Sequence, residues 1–242
     1  LLVEAYRRIV CRWMRTTGVS QITNEQLTAI LKECIYGVDL NEEAVRVASF
    51  SLSLALCDFL DPRSIWNELS FPKLVNENLI VSDFFDNALD SRLTKYDIVI
   101  GNPPYMKISK DAPEATAMPE VCYGAPNMYF LFASMGMFNL KENGEMVYII
   151  PRSWTSGAYF KKFRQYFLSE GKLQQIHLFV SRDKVFDKED VLQETIIVKV
   201  KKSKVRPVTV EITSSYSSSD FGNITSLRVP YELVVSANDY YV

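Results

Sequence analysis

Apolar positions along the chain alternate between stretches of helical period and short β-branched runs. Leu2, Ala5, Ile9, Val10 and Trp13 recur at helical spacing and predict an amphipathic helix from Leu1 to about Met14. Asn24, a good capping residue, opens a second helix to about Lys32. A short apolar strand follows at Ile35 to Asp39, then a helix from about Asn41 to Cys57. Phe59 to Leu74 supports a loop with one short helix at most, and Asn78 to Val81 reads as the next strand. Asp97 to Ile100 is β-branched, too short for a helix and flanked by turn formers, which predicts a strand buried on both faces. Met106 to Ala125 shows no period and reads as a long loop, of the kind that is functional or disordered in compact domains. Asn127 to Leu140 is a strongly apolar helix closed by Asn143-Gly144. Glu145 to Ile150 is a second buried strand, ended by Pro151. A helix from Tyr159 to about Leu168 places Lys161, Lys162 and Arg164 on a solvated basic side. Leu173 to Val180 and Glu194 to Val200 complete the strands, the last alternating enough to suit a sheet edge. Strands alternating with helices make this an α/β chain.

Composition adds limits to that picture. The chain has 242 residues, 48% of them hydrophobic and 23% charged, which is enough for one large domain or one and part of another. No apolar run approaches the ~20 residues of a membrane helix. Glu4, Arg7 and Arg8 interrupt any amino-terminal signal core, so a soluble cytoplasmic protein without a membrane partner is the expectation. Cys11, Cys34, Cys57 and Cys122 form no Cys-x-x-Cys pair and His177 is the one histidine, which argues against a metal site or a disulfide framework. A net charge of −2 gives no global footprint for nucleic acid, so any basic contact surface is local or lies on a part of the protein outside this sequence.

Candidate chemistry gathers after the strands. Pro103-Pro104 stops the Asp97 to Ile100 strand, removes backbone donors and holds Asn102 and Pro103 extended at its carboxyl end, where open α/β sheets bind ligands. Asn102 supplies an amide oxygen, Pro103 a carbonyl outside any regular ladder and Tyr105 a flat face; together they suit a planar group bearing an NH2. The plain alternative is a strand ending in a proline turn. Asp39, at the end of its strand and followed by Leu40, is placed to accept from ribose hydroxyls or simply to cap the next helix. In Ser82-Asp83-Phe84-Phe85, Asp83 can accept from an adenine amino group with Phe84 on the ring face; equally, the aromatic pair is core and Asp83 caps a turn. Lys107 and Lys110 are candidate phosphate contacts or solvated loop residues, and Phe186, in the polar loop Asp183 to Asp187, is either a plug or a second ring opposite Tyr105.

Asn-Pro-Pro-Tyr after a strand resembles the catalytic motif of the amino-methyltransferases, which move a methyl group from S-adenosylmethionine to an exocyclic or amide nitrogen. The order of features resembles, more closely, the DNA adenine-N6 methyltransferases of restriction-modification systems, particularly the Eco57I-type enzymes, over roughly Leu1 to Lys202. The matching stretches are Ile35 to Leu56, Ser82 to Phe85, Asp97 to Tyr105, Ile149 to Trp154, and Val185-Phe186 before Thr195 to Lys201. The resemblance implies a Rossmann-like methyltransferase sheet of seven strands, one of them antiparallel, with helices on both faces. It implies S-adenosylmethionine as cofactor, with Asp39 and Leu40 at its ribose and Asp83 and Phe84 at its adenine. It implies catalysis by Asn102, Pro103, Pro104 and Tyr105 on a flipped adenine, with Asn102 also bordering the cofactor and Phe186 on the base's far face. Double-stranded DNA is the implied partner, with a target-recognition domain and an endonuclease fused or separate. The chain departs from the family in lacking a G-x-G loop among its nine glycines. The expectation is therefore a catalytic domain at 1–202 without its first strand and glycine-rich loop, followed at 203–242 by the start of a connecting or recognition region. On that view the parent protein is the enzyme and this stretch alone binds cofactor weakly or not at all. Asn-Pro-Pro-Tyr also serves enzymes that methylate a protein glutamine or an RNA guanine amino group, and a non-catalytic DNA-binding module is a third reading.

Overall fold

Helix α1 (Leu2–Thr17) outruns its expected end because nothing stops it before Gly18, whose φ of 72° lets its N–H return to Met14 O. Helix α2 (Asn24–Cys34) begins with Thr23 rather than Asn24 as cap: the Thr23 side chain accepts from Gln26 N, and the Gln26 side chain accepts from Thr23 N, a reciprocal capping box. Strand β1 (Gly37–Asp39) leads into α3 (Glu42–Cys57), whose cap Asn41 accepts from Glu43 N and Ala44 N. After α4 (Pro62–Glu68), strand β2 (Leu79–Val81) pairs with β1 in parallel, and α5 (Phe84–Leu89) follows. The structure, a computed structural model, describes residues 1–89, 95–180, 194–238 and 240–242. It divides into two compact units, Leu1–Leu93 and Thr94–Val242. The first unit packs Tyr6 and Val10 of α1, Leu27 and Leu31 of α2, and Leu52 and Leu56 of α3 around Leu79.

In the second unit, β3 (Tyr96–Gly101) and the much longer β4 (Leu140–Pro151) run parallel. Between them lie α6 (Pro113–Ala117), a 3-10 turn at Pro119–Val121 and α7 (Met128–Asn139), so the expected loop after Tyr105 contains two short helical turns. Helix α8 (Lys161–Glu170) runs straight into β5 (Gly171–Phe179), and β6 (Thr195–Lys202) returns antiparallel between β4 and β5. Strands β7 (Thr209–Ser215) and β8 (Thr225–Pro230), then α9 (Tyr231–Val234), complete the unit. The sheet order is β3-β4-β6-β5-β7-β8, with β6 and β8 reversed against the rest.

Four expectations change here. Strand β3 is terminal in its sheet among the described residues, paired with β4, and Ile98 is 62% exposed rather than buried on both faces. Strand β6 is interior, not an edge; its alternation reports two unlike faces and says nothing about pairing. Two strands, β6 and β8, rather than one run against the others. Asn143-Gly144 does not end α7. That helix stops at Asn139, and Asn143 (φ 67°) and Gly144 form an irregularity in β4, where a Cβ on Gly144 would meet Lys141 O at 2.9 Å and Asp97 O at 3.0 Å. The α7 carbonyls are closed by a side chain instead: Lys202 Nζ donates to Met137 O at 2.9 Å and Leu140 O at 3.0 Å. Lys172 Nζ does the same for α8, donating to Leu168 O at 2.7 Å and Ser169 O at 2.9 Å.

Candidate active site

In the first unit, the parallel pairing of β1 with β2 sets Asp39 opposite Val81, and Ser82 N donates to Asp39 O at 3.1 Å. Asp39 and Asp83 therefore stand at the same carboxyl end of neighbouring strands. Asp39 is exposed beside an exposed Leu40; its Oδ1 accepts from Asn41 N at 2.8 Å. Asp83 is half-buried and accepts from Phe85 N at 2.7 Å, a local bond of the kind a turn-capping aspartate makes. A carboxylate has about four acceptor positions, so one backbone bond leaves each acid capacity for a ligand donor. Phe85 is core, while Phe84 keeps part of its face exposed, its ring edge-on to Phe85 with centroids 5.7 Å apart. Two acceptors and a flat apolar face fit the hydroxyl and amino donors of an adenosyl group.

In the second unit, Gly101 ends β3 and the chain from Asn102 to Met106 has no regular structure. Pro103 is buried, anchoring the turn, while Asn102 and Pro104 are exposed and Tyr105 is half-buried. Close passage beneath the turn depends on Gly101, where a Cβ would lie 2.9 Å from the Tyr148 ring. Tyr105 Oη reaches two oxygens: Asn102 Oδ1 at 2.6 Å and, at the end of β4, Ile149 O at 2.9 Å. The rest of the support comes from neighbours that the sequence reading did not single out. The Tyr129 ring, at the start of α7, stands edge-on to Tyr105 with centroids 6.4 Å apart, and its hydroxyl lies 3.3 Å from Ser153 Oγ. Burial pushes the Tyr129 hydroxyl well above its ordinary pKa, so it stays protonated.

The segment after β4 that contains Ser153 is held from behind by Arg164. This residue was expected on a solvated face and is instead fully buried. Its Nη1 donates to Trp154 O at 2.9 Å and Gly157 O at 2.7 Å, and its guanidinium lies 4.5 Å from the Tyr241 ring centroid. A signal was available: Arg164 precedes Phe167 by three residues and Leu168 by four, which puts it in the apolar stripe with them, whereas Lys161 and Lys162 point outward. Arg152, exposed, pairs with Glu194 at 3.2 Å across the base of the β5 to β6 connection. Phe186 lies in that connection, outside the described residues, as do Asp183 and Val185.

The loop after Tyr105 closes on itself where Met128 N donates to Met106 O at 2.9 Å and Ile108 N to Pro126 O at 3.0 Å. Ala115, Met118 and Val121 anchor it, Lys107 and Lys110 stay exposed, and a cavity of about 350 Å³ opens beside Lys110, Thr116, Tyr123 and Gly124. Among the described residues, no group of three or more His, Cys, Asp or Glu gathers to hold a metal, and no helix is long and apolar enough to cross a membrane.

The family described as Eco57I restriction-modification methylase matches residues 33–186. Type II methyltransferase M.BsuBI of Bacillus subtilis is 32% identical over 234 residues, covering 92% of this chain and 44% of its own length. The chain thus spans less than half of that relative. Among solved structures, a protein of Listeria monocytogenes assigned to the class I S-adenosylmethionine-dependent methyltransferases superposes with a TM-score of 0.52 at 18% identity, over 83% of this chain and 58% of its own. A Type ISP restriction-modification enzyme, LlaGI, solved with a DNA substrate mimic, superposes with a TM-score of 0.67 at 11% identity, over 98% of this chain and 23% of its own. The fold is that of the class I methyltransferases.

Proposed function

We propose that this chain, which belongs to the Eco57I restriction-modification methylase family, is the methyl-transferring part of a DNA methyltransferase acting on the N6 amino group of a flipped adenine. The observation that carries the reading is the turn after β3: an exposed Asn102 whose amide oxygen is held by Tyr105, itself tied to the backbone of β4. S-adenosylmethionine, the cofactor of this fold, supplies an electrophilic methyl group on a sulfonium. Asp39 and Asp83 would accept from its ribose and adenine donors, with Phe84 against the adenine face.

An adenine amino nitrogen is a weak nucleophile because its lone pair is delocalised into the ring. Asn102 Oδ1 and the Pro103 carbonyl, placed at its two hydrogens, favour a pyramidal nitrogen and stabilise the positive charge that grows as the N–C bond forms. One amine proton is then lost to solvent. Tyr105 gives the base a ring to lie against in place of its stack, and Phe186 is the proposed ring on the other face. Double-stranded DNA is the proposed substrate, consistent with the restriction-modification relatives. The catalytic domain is proposed to extend over 1–202, with 203–242 as a connecting region that continues its sheet through β7 and β8 and with recognition and cleavage by other parts of the protein.

The test is Asn102→Ala in the full-length protein. Methylation with tritium-labelled cofactor falls about 10²–10³-fold, while cofactor affinity by calorimetry changes less than about three-fold. Activity that survives the substitution removes the acceptor role. Label arriving on protein or RNA but not on DNA, when all three are offered, removes the substrate assignment.

A further inference from the structure

We propose that the hydroxyl of Tyr105, as distinct from its ring, is the positioning group for the Asn102 amide during methyl transfer. The inference rests on the reading that Asn102 Oδ1 receives the substrate amine.

An amide can present oxygen or NH2 after a half-turn with little change in shape, so its partners decide which faces the substrate. Packing gives Asn102 little help, because the residue is exposed. Its partner is Tyr105 Oη at 2.6 Å, a separation short of the usual N–H···O range and typical of O–H···O, which fixes the oxygen toward the hydroxyl. The hydroxyl is itself located by Ile149 O at 2.9 Å, a main-chain atom of a strand paired on both sides. Both of these partners are carbonyl oxygens, which accept only, and the hydroxyl has one proton to give. With the proton toward Asn102, the amide oxygen is pinned on one lone pair and the other is left for an incoming N–H. The hydroxyl proton stays directed at Asn102 Oδ1 while charge grows on the amine, so the amide cannot turn its NH2 toward the substrate. No bond to carbon is involved and no proton leaves the pair of residues. The ring does its stacking whether or not the hydroxyl is there, which makes the two roles separable.

Tyr105→Phe in the full-length protein separates them, with DNA of a bacteriophage grown in a methylation-deficient host as substrate. Turnover falls about five- to ten-fold, the size of one neutral hydrogen bond, while KM for DNA and for S-adenosylmethionine stays within about two-fold. In the Asn102→Asp background the same change costs less than about two-fold, because a carboxylate offers an oxygen either way round. Should that background show no turnover, the kcat-against-KM split of the single variant decides. Unchanged turnover in Tyr105→Phe overturns the inference, and so does a loss that appears in KM or is equal in both backgrounds. A wild-type-like Tyr105→Phe beside an inactive Asn102→Ala removes only this inference; an active Asn102→Ala removes the reading beneath it as well.

Discussion

A guanidinium without exposed surface needs acceptors for its protons and a face for its plane; Arg164 finds Trp154 O and Gly157 O for its Nη1 and the Tyr241 ring for its plane. Its two carbonyl partners lie on either side of the turn that follows β4, so one side chain braces the segment bearing Ser153. Arg164→Met keeps volume and removes the donors, leaving two carbonyls without them. The expected cost is roughly 2–5 kcal/mol of stability, read from urea unfolding. A loss below about 1 kcal/mol would mean that water replaces the guanidinium. Residue by residue, the placement of the candidate residues was legible: Asp39 ends β1, Asp83 follows the end of β2, and Asn102 to Tyr105 follow the end of β3. The engagement of Tyr105 with Ile149 was not legible, because it spans 44 residues and depends on strand pairing. Arg164 shows the converse failing, a charged residue assigned to solvent by type when its spacing had placed it inside.

At the scale of elements, the type of each long segment followed from its period, while ends and pairings did not. Thr23 rather than Asn24 caps α2 because the cap is chosen by where the reciprocal bonds with Gln26 close. Helix α7 ends by tertiary capping from Lys202, a residue 62 positions beyond Leu140, which no local signal announces. The junction of α8 with β5 is tighter still, since Gly171 follows Glu170 without a loop. A Cβ there would sit 2.5 Å from Val200 Cγ1 and 2.6 Å from Met137 Cε. Met137 can bend away, but Val200 is fixed in an interior strand. Gly171→Ala is therefore expected to destabilise by about 1–3 kcal/mol, checked by chemical denaturation; a stabilised variant would show that the junction has slack.

For the molecule as a whole, the alternation of strands and helices gave the α/β class, but the sheet order and the reversal of β6 and β8 depend on contacts between distant segments. One consequence of that order is the setting of His177, which bridges β5 and β7 through Thr213 Oγ1 at 2.9 Å and Ser215 Oγ at 3.0 Å while stacking on Phe221. Burial lowers its pKa below the ordinary value. A base with a depressed folded pKa favours folding while neutral in both states, above about pH 6.5. As pH falls through that value the unfolded chain takes the proton first and stability declines. The thermal midpoint should thus drop on acidification from about pH 6.5, with a shallower slope in His177→Gln; equal slopes would exonerate the histidine. The withdrawn charges, finally, lean one way. Arg164 and Lys172 are buried, whereas no Asp or Glu is buried among the described residues. Burial leaves the net charge of −2 as it is but takes these two cations out of the set that can touch an outside anion. Arg164 and Lys172 are thus spent on main-chain carbonyls inside the fold, and any contact with an anion falls to the exposed lysines and arginines.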